Sequence, residues 1–337
     1  LNAGYDKAYT TQNGHRLRGF AELRGDYYRY TDANRGTQAC NAGRELLDAN
    51  QDGIFDTFDN CREVLPRQGL EEEFSTSRFL PTAGVEWSYP LAKLTDNATF
   101  IIEPRVQAIV SPNEDFSDDI FNEDSGFFQF DSITLFDVNK SPGLDQWEDG
   151  QRLNVGVSGT AIFGDKLTLS GTIGQQFRAD ISAAFGNEAG IGDTTSNYVG
   201  DLRINYGSNL SMNNRFLIDD DSGSLQRGES TVRARLGRFT TNLSYITDKD
   251  PTLANPNKRD EFLTTTATFK LTDRWTVGGT WREDLDQSDT IAQSLILRYR
   301  DDCTLISLNW RFDNQRGNDN EFDLNRSLTL NFDLIGF

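Results

Sequence analysis

The chain has 337 residues, 52 acidic against 33 basic, a formal net charge of −19 and 36% hydrophobic residues; its mean hydropathy is −0.58. A soluble chain carries about 45–50% apolar residues and a helical membrane protein needs apolar runs of about 20. Neither fits, because the best runs are as short as Phe100–Ile102 and Ala161–Phe163. The 23 Phe, 10 Tyr and 5 Trp argue against a disordered chain, and the acidic balance argues against nucleic acid as a partner. A transmembrane barrel, apolar toward lipid and polar toward its lumen, reconciles these observations. No basic start followed by an apolar core opens the chain, so residue 1 is expected to be a mature start or a fragment boundary.

In chain order, period-two alternation predicts strands near 15–30, 74–89, 97–112, 149–163, 167–178, 195–206, 209–219 and 227–236. It continues near 239–247, 261–270, 275–282, 291–299, 305–312 and 327–336, with an extra strand in 1–10. The fold class is therefore all-β, an antiparallel barrel with about 14–15 strands in this chain. Several segments match the roughly 9–11 residues of a membrane-crossing strand rather than the roughly 5–6 of a globular one. The lipid face takes Leu17, Leu23, Tyr27, Val85, Trp87, Tyr89, Phe100, Ile102, Val106, Tyr198, Leu202 and Ile204. The lumen face takes Arg16, Arg18, Glu22, Arg24, Glu86, Glu103, Arg105, Asp201, Arg203, Arg233, Arg235, Arg282 and Arg298, which are expected to form compensating pairs.

Short connections at 90–97, 164–166, 206–209, 237–238, 271–274 and 300–303 alternate with long ones at 31–72, 113–148, 179–194, 219–226, 248–260, 284–290 and 314–326. Periplasmic turns of such barrels are short and extracellular loops long. On that rule the long connections are extracellular and the C-terminus is periplasmic. The 113–148 connection holds six Phe among many acids and is expected to fold into the lumen, as a porin's long acidic loop also would. In the last strand Leu328, Leu330, Phe332 and Leu334 keep phase, and Phe337 breaks it.

Within 31–72, read as an extracellular insertion, Asp48, Asn50, Asp52, Asp56 and Asp59 fall at positions 1, 3, 5, 9 and 12 of a calcium loop. Gly53 supplies the sharp turn at position 6 and Ile54 its carbonyl at position 7. A solvated acidic loop is the blander reading, and the spacing favours calcium. The run through Asp59-Asn60-Cys61 is similar to a thrombospondin type 3 calcium repeat. That resemblance implies a disulfide, for which Cys40 and Cys61 are the candidates; such a loop of about 20 residues is worth roughly 3 kcal/mol. Enzyme chemistry has little material, since His15 is the single histidine and no carboxylate pair stands out. No catalytic residue is therefore expected.

Four further passages carry a family resemblance. They are Leu80-Pro81 through Pro90-Leu91 with Glu103-Pro104-Arg105; Asn122-Glu123-Asp124-Ser125 with Phe130-Asp131; Leu135-Phe136, Gly143-Leu144-Asp145 and Glu148-Asp149-Gly150-Gln151-Arg152-Leu153-Asn154-Val155-Gly156; and Asp302-Cys303. The third resembles the block "LF…GLDxxEDGxRxNYG" of the LptD family, with Val155 in place of the aromatic. The resemblance implies the C-terminal part of a barrel of more than twenty strands, which inserts lipopolysaccharide into the outer leaflet and makes or breaks no bond. It implies a plug lipoprotein similar to LptE and a periplasmic lipopolysaccharide bridge as partners. For Cys303 it implies a disulfide to a domain outside this chain. The rival readings are a diffusion porin with an acidic lumen loop and a calcium-dependent surface-binding barrel.

Overall fold

The computed structural model describes residues 1–34, 71–113, 120, 124, 128, 130–182, 185, 189–249, 258–316 and 322–334. Sixteen strands make up its regular structure. They are β1 (Asn2–Thr10), β2 (Arg16–Asn34), β3 (Glu71–Ser88), β4 (Leu91–Leu94), β5 (Ala98–Val110), β6 (Gln151–Phe163), β7 (Leu167–Arg178) and β8 (Tyr198–Tyr206). Then follow β9 (Leu210–Ile218), β10 (Leu225–Leu236), β11 (Phe239–Lys249), β12 (Arg259–Lys270), β13 (Trp275–Asp284), β14 (Asp289–Arg300), β15 (Thr304–Arg316) and β16 (Phe322–Leu334). Each pairs antiparallel with its sequence neighbour in one sheet, and only β4 lies off that path. Among the described residues β1 and β16 are the two ends of the sheet and do not pair with each other.

The element β4 lies inside the connection expected at 90–97. It continues β3, because Ser88↔Arg105 and Leu91↔Ile102 keep one register. Pro90 and Pro104 sit between them, and neither has an N–H to give to the ladder. The chain therefore keeps its course while two rungs are lost, and Tyr89 N still donates to Pro104 O at 3.2 Å. Gly164, Gly207 and Gly237, at φ between 53° and 60°, turn the chain in the short connections. Two connections expected to be long are short: 219–224 and 285–288. Strand pairing reaches further than the alternation does, with irregular registers at Leu225/Arg227 and Arg282/Glu283 absorbing the mismatch.

The register carries two faces unbroken across the sheet. Arg18↔Glu86, Glu86↔Gln107, Arg105↔Gly156, Gly156↔Gly174, Thr172↔Asp201 and Asp201↔Arg215 all lie on one of them. The thirteen charged residues assigned to the lumen fall on this polar face. Leu17, Val85, Ile102, Val157, Ile173, Leu202, Leu243, Trp281, Leu297, Leu308 and Leu330 lie on the other and are exposed there. An apolar surface this continuous greatly exceeds what a soluble monomer exposes, and it is what a barrel wall presents to lipid.

Asp48, Asn50, Asp52, Ile54, Asp56, Asp59, Cys40 and Cys61 lie outside the described residues, as do Asn122, Glu123, Ser125 and Phe337. Among the described residues no group of three His, Cys, Asp or Glu is placed to hold a metal ion. Cys303 is free and exposed in the β14–β15 turn, where its N–H donates to Asp301 Oδ1 at 3.0 Å. His15 stacks on Tyr89 at 4.3 Å beside Trp87, in the β1–β2 turn.

Candidate functional site: a loop fastened to the polar face

The described residues of the 111–150 connection between β5 and β6 lie against the polar face and are held there at three places. The first is built on Glu148-Asp149-Gly150-Gln151-Arg152. Gly150, at φ +75°, closes the loop neck: its N–H donates to Pro112 O at 3.0 Å and its carbonyl accepts from Ser111 N at 3.1 Å. The turn sends the Glu148 side chain inward, where it is completely buried. Glu148 Oε1 accepts from Gln176 Nε2 at 2.9 Å and Arg178 Nη1 at 3.1 Å, and lies 3.4 Å from Arg152 Nε. Its Oε2 accepts from Lys140 N and Nζ at 3.2 and 3.4 Å. Arg178 Nη2 also reaches Asp149 Oδ1 at 2.7 Å, which accepts from Ser182 Oγ as well. Arg152 donates to the carbonyls of Glu148, Asp149 and Val138, each at 2.7 Å.

Buried charges are tolerated only when paired and hydrogen-bonded. Burial alone would raise the Glu148 carboxyl; the facing Lys140, Arg152 and Arg178 charges outweigh it and hold the group below the usual range. Burial pushes the Lys140 ammonium down to about 8, against the pull of Glu148. Glu148 is therefore ionised at neutral pH and is the hub of the cluster. Three cations against two carboxylates also leave the cluster with an excess positive charge.

The second fastening uses Gly143-Leu144-Asp145. Gly143, at φ +75°, lies where a Cβ would stand 2.4 Å from Asp124 Oδ1. That close approach lets the Asp124 carboxylate accept from Leu144 N at 2.7 Å and Asp145 N at 3.1 Å. The turn presents its carbonyls outward: Leu144 O accepts from Arg24 Nη2 at 2.7 Å and from Arg78 Nη2, and Asp145 O accepts from Arg78 Nη1. Asp26 sits between the two guanidiniums, at 2.9 Å from Arg24 and 2.8 Å from Arg78.

The third is apolar at its centre. Gly156 and Gly174 are register partners on β6 and β7, and together they leave the polar face bare. Leu135 fills that place, fully buried among Phe130, Phe185, Ile191, Val199 and Leu217. Arg105 lies over the Phe136 ring at 4.9 Å, Ser132 Oγ donates to Asp201 at 2.7 Å, and Asp131 pairs with Arg215 at 3.2 Å. The β7–β8 connection supplies Phe185 and Ile191, so two connections share one small core. At Gly174 a Cβ would lie 2.3 Å from Leu135 Cδ2 and 2.5 Å from Val155 O. Gly174→Ala should therefore cost about 1–3 kcal/mol. Gly159→Ala, whose Cβ meets nothing within 4 Å, should be silent. Heat-dependent gel mobility of the full-length protein reads both, and equal midpoints would remove Leu135 from its seat.

Of the family-motif residues, Asp124, Gly143, Leu144, Asp145, Glu148, Asp149 and Gly150 lie in the connection and Arg152 is the second residue of β6; their hydrogen bonds fasten the connection to the sheet. Glu103 and Pro104 stay apart from the connection: Glu103 faces Arg16 at 3.6 Å and Arg105 at 4.0 Å. The partners Lys140, Gln176, Arg178, Arg78 and Arg215 were not singled out. Alternation already put Gln176 and Arg178 on the polar side of their strand, but pairing across 28 or 30 positions leaves no local signal. Compensating pairs are found for Arg16, Arg18, Arg105 and Arg203. Among the described residues Arg233, Arg235, Arg282 and Arg298 have no acidic partner, which corrects that expectation for them.

An antiparallel sheet, apolar on one face and carrying fastened loops on the other, defines a β-barrel wall of the outer-membrane class. The chain belongs to the LptD family, LPS transport system D, which matches residues 7–275. It is similar to the LPS-assembly protein LptD of Aeromonas salmonicida, 26% identical over 253 residues, covering 71% of this chain and 30% of that protein. Against LptD of Vibrio cholerae the figures are 26% over 238 residues, 64% and 30%. The chain thus spans about a third of the length of these curated relatives, and its location is the outer membrane. The ferric enterobactin receptor of Pseudomonas aeruginosa superposes on 93% of this chain and 49% of its own, at TM-score 0.41 and 8% identity. That likeness is too loose to bear on function.

Proposed function

We propose that this chain is barrel wall of a translocon that inserts lipopolysaccharide into the outer leaflet of the outer membrane, with no covalent chemistry. The observation that carries this reading is the family match over residues 7–275, in a chain whose family block fastens a loop across the polar face. A porin's long acidic loop would also fold inward, so the family match is what favours a translocon over a diffusion porin. Planar-bilayer conductance of the full-length protein separates the two: the translocon reading expects little open-pore current, and steady porin-like conductance would reject it. The same reading brings a plug lipoprotein of the LptE kind and a periplasmic lipopolysaccharide bridge as partners, and a disulfide from Cys303 to a domain outside this chain.

The orientation proposed puts the long connections outside and the C-terminus in the periplasm. An epitope in 31–72 should then be labelled on intact cells, and an epitope that stays inaccessible reverses the assignment. The calcium loop of Asp48, Asn50, Asp52, Ile54, Asp56 and Asp59, with a Cys40–Cys61 disulfide, is proposed as a structural site in that insertion. Asp52→Ala should abolish calorimetric calcium uptake by the full-length protein; unchanged uptake would place the ion elsewhere.

A further inference from the structure

The register divides the polar face of β7–β13 in two. One row runs Asp201–Arg215–Glu229–Ile246–Phe262–Asp284. This row and those beyond it, toward the long connections, hold every carboxylate that these seven strands place on the face, Asp248 and Asp260 included. The next row runs Arg203–Asn213–Thr231–Ser244–Thr264–Arg282. From there to the short turns no strand residue on the face is acidic, in a chain with 52 acids. Five are cations: Arg203, Arg233, Arg235, Lys270 and Arg282. Their neighbours, such as Ser170, Asn205, Ser211 and Asn242, are hydroxyls and amides. The polar anchors of the β5–β6 connection on these strands, Gln176, Arg178, Asp201 and Arg215, lie on the other side of the divide.

Arg233 and Arg235 stand two residues apart on one strand, exposed, and their guanidinium groups make no hydrogen bond or ion pair among the described residues. Arg203, also exposed, reaches only across the divide, 3.6 Å from Asp201. Arg282 rests on the Phe262 ring at 5.5 Å. Across the divide on the strand of Arg233 and Arg235 the charge is neutralised: Arg227 holds both Glu229 and Asp248 at 2.9 Å. A field of like charges without counterions repels itself and attracts anions. Guanidinium forks fit phosphate oxygens in pairs, and the surrounding hydroxyls and amides suit sugar hydroxyls.

We infer that this half of the polar face binds the phosphate groups of a phosphorylated glycolipid headgroup. The inference rests on the transport reading and names the part of the cargo that the wall holds. The test titrates the full-length protein in detergent with bisphosphorylated lipid A, with the same lipid dephosphorylated, and with inorganic phosphate. Arg233→Gln/Arg235→Gln should weaken binding of the phosphorylated lipid about tenfold, as loss of charged hydrogen bonds does, and leave the dephosphorylated lipid unaffected. Arg233→Lys/Arg235→Lys should recover part of the loss. Should the Gln pair lose its heat-modifiable migration, Arg203→Gln carries the same test. Equal affinity of variant and wild type for the phosphorylated lipid would overturn this site and leave transport standing. Equal affinity of the wild type for both lipids, with binding of inorganic phosphate, would overturn the lipid assignment. A wild type that binds neither lipid would overturn the transport reading and this inference with it.

Discussion

Glu148→Ala should unfasten the β5–β6 connection and lower stability by about 3–5 kcal/mol, the cost of breaking a buried ion pair from one side. The variant leaves Lys140, Arg152 and Arg178 facing one another around an empty centre, with only Asp149 still on Arg178. Gln176 loses its acceptor as well. The expected readout is rapid protease cleavage within 111–150 and a reduced level of folded, heat-modifiable protein. Lys140→Met should cost less, because Glu148 keeps Arg152 and Arg178 and the burial of an ammonium is removed. Wild-type protease resistance in Glu148→Ala would show that the cluster does not hold the loop.

The second large effect concerns the other face. Leu308 lies midway along β15, between Leu297 and Leu330, and is exposed. Leu308→Arg puts a cation against hydrocarbon and should cost about 2–4 kcal/mol if the position lies near the bilayer midplane. Asn309→Arg, one residue on and therefore on the polar face, should be tolerated. Urea unfolding of the full-length protein in vesicles measures both. Equal losses, or a greater loss at Asn309, would contradict the assignment of lipid and lumen faces.

Strands and faces were legible in the sequence because both follow from a period of two residues. Every charged residue given to the lumen by alternation lies on the face where Arg24, Asp201 and Gln176 meet the loop. The β3–β4 passage was less clear, since Pro90 opened an expected connection at 90–97 while the register runs on past it. The length of the strands around 219–224 and 285–288 was underestimated because bulges break the phase where pairing continues. Gly143 and Gly150 were named through the family block alone, and their turns come from the structure, where both have φ of 75°. The loop's seat was not legible, because Leu135 meets Gly156 and Gly174 from positions far off in sequence. Small residues on the polar side of adjacent strands were the available hint, and they carry meaning only once the strands are paired.

Depletion of the full-length protein in its own bacterium, with surface lipopolysaccharide scored, tests the central claim most directly. Loss of surface glycolipid with accumulation inside the cell, reversed by re-expression, is the predicted result. Unchanged surface glycolipid in viable depleted cells would contradict a transport role.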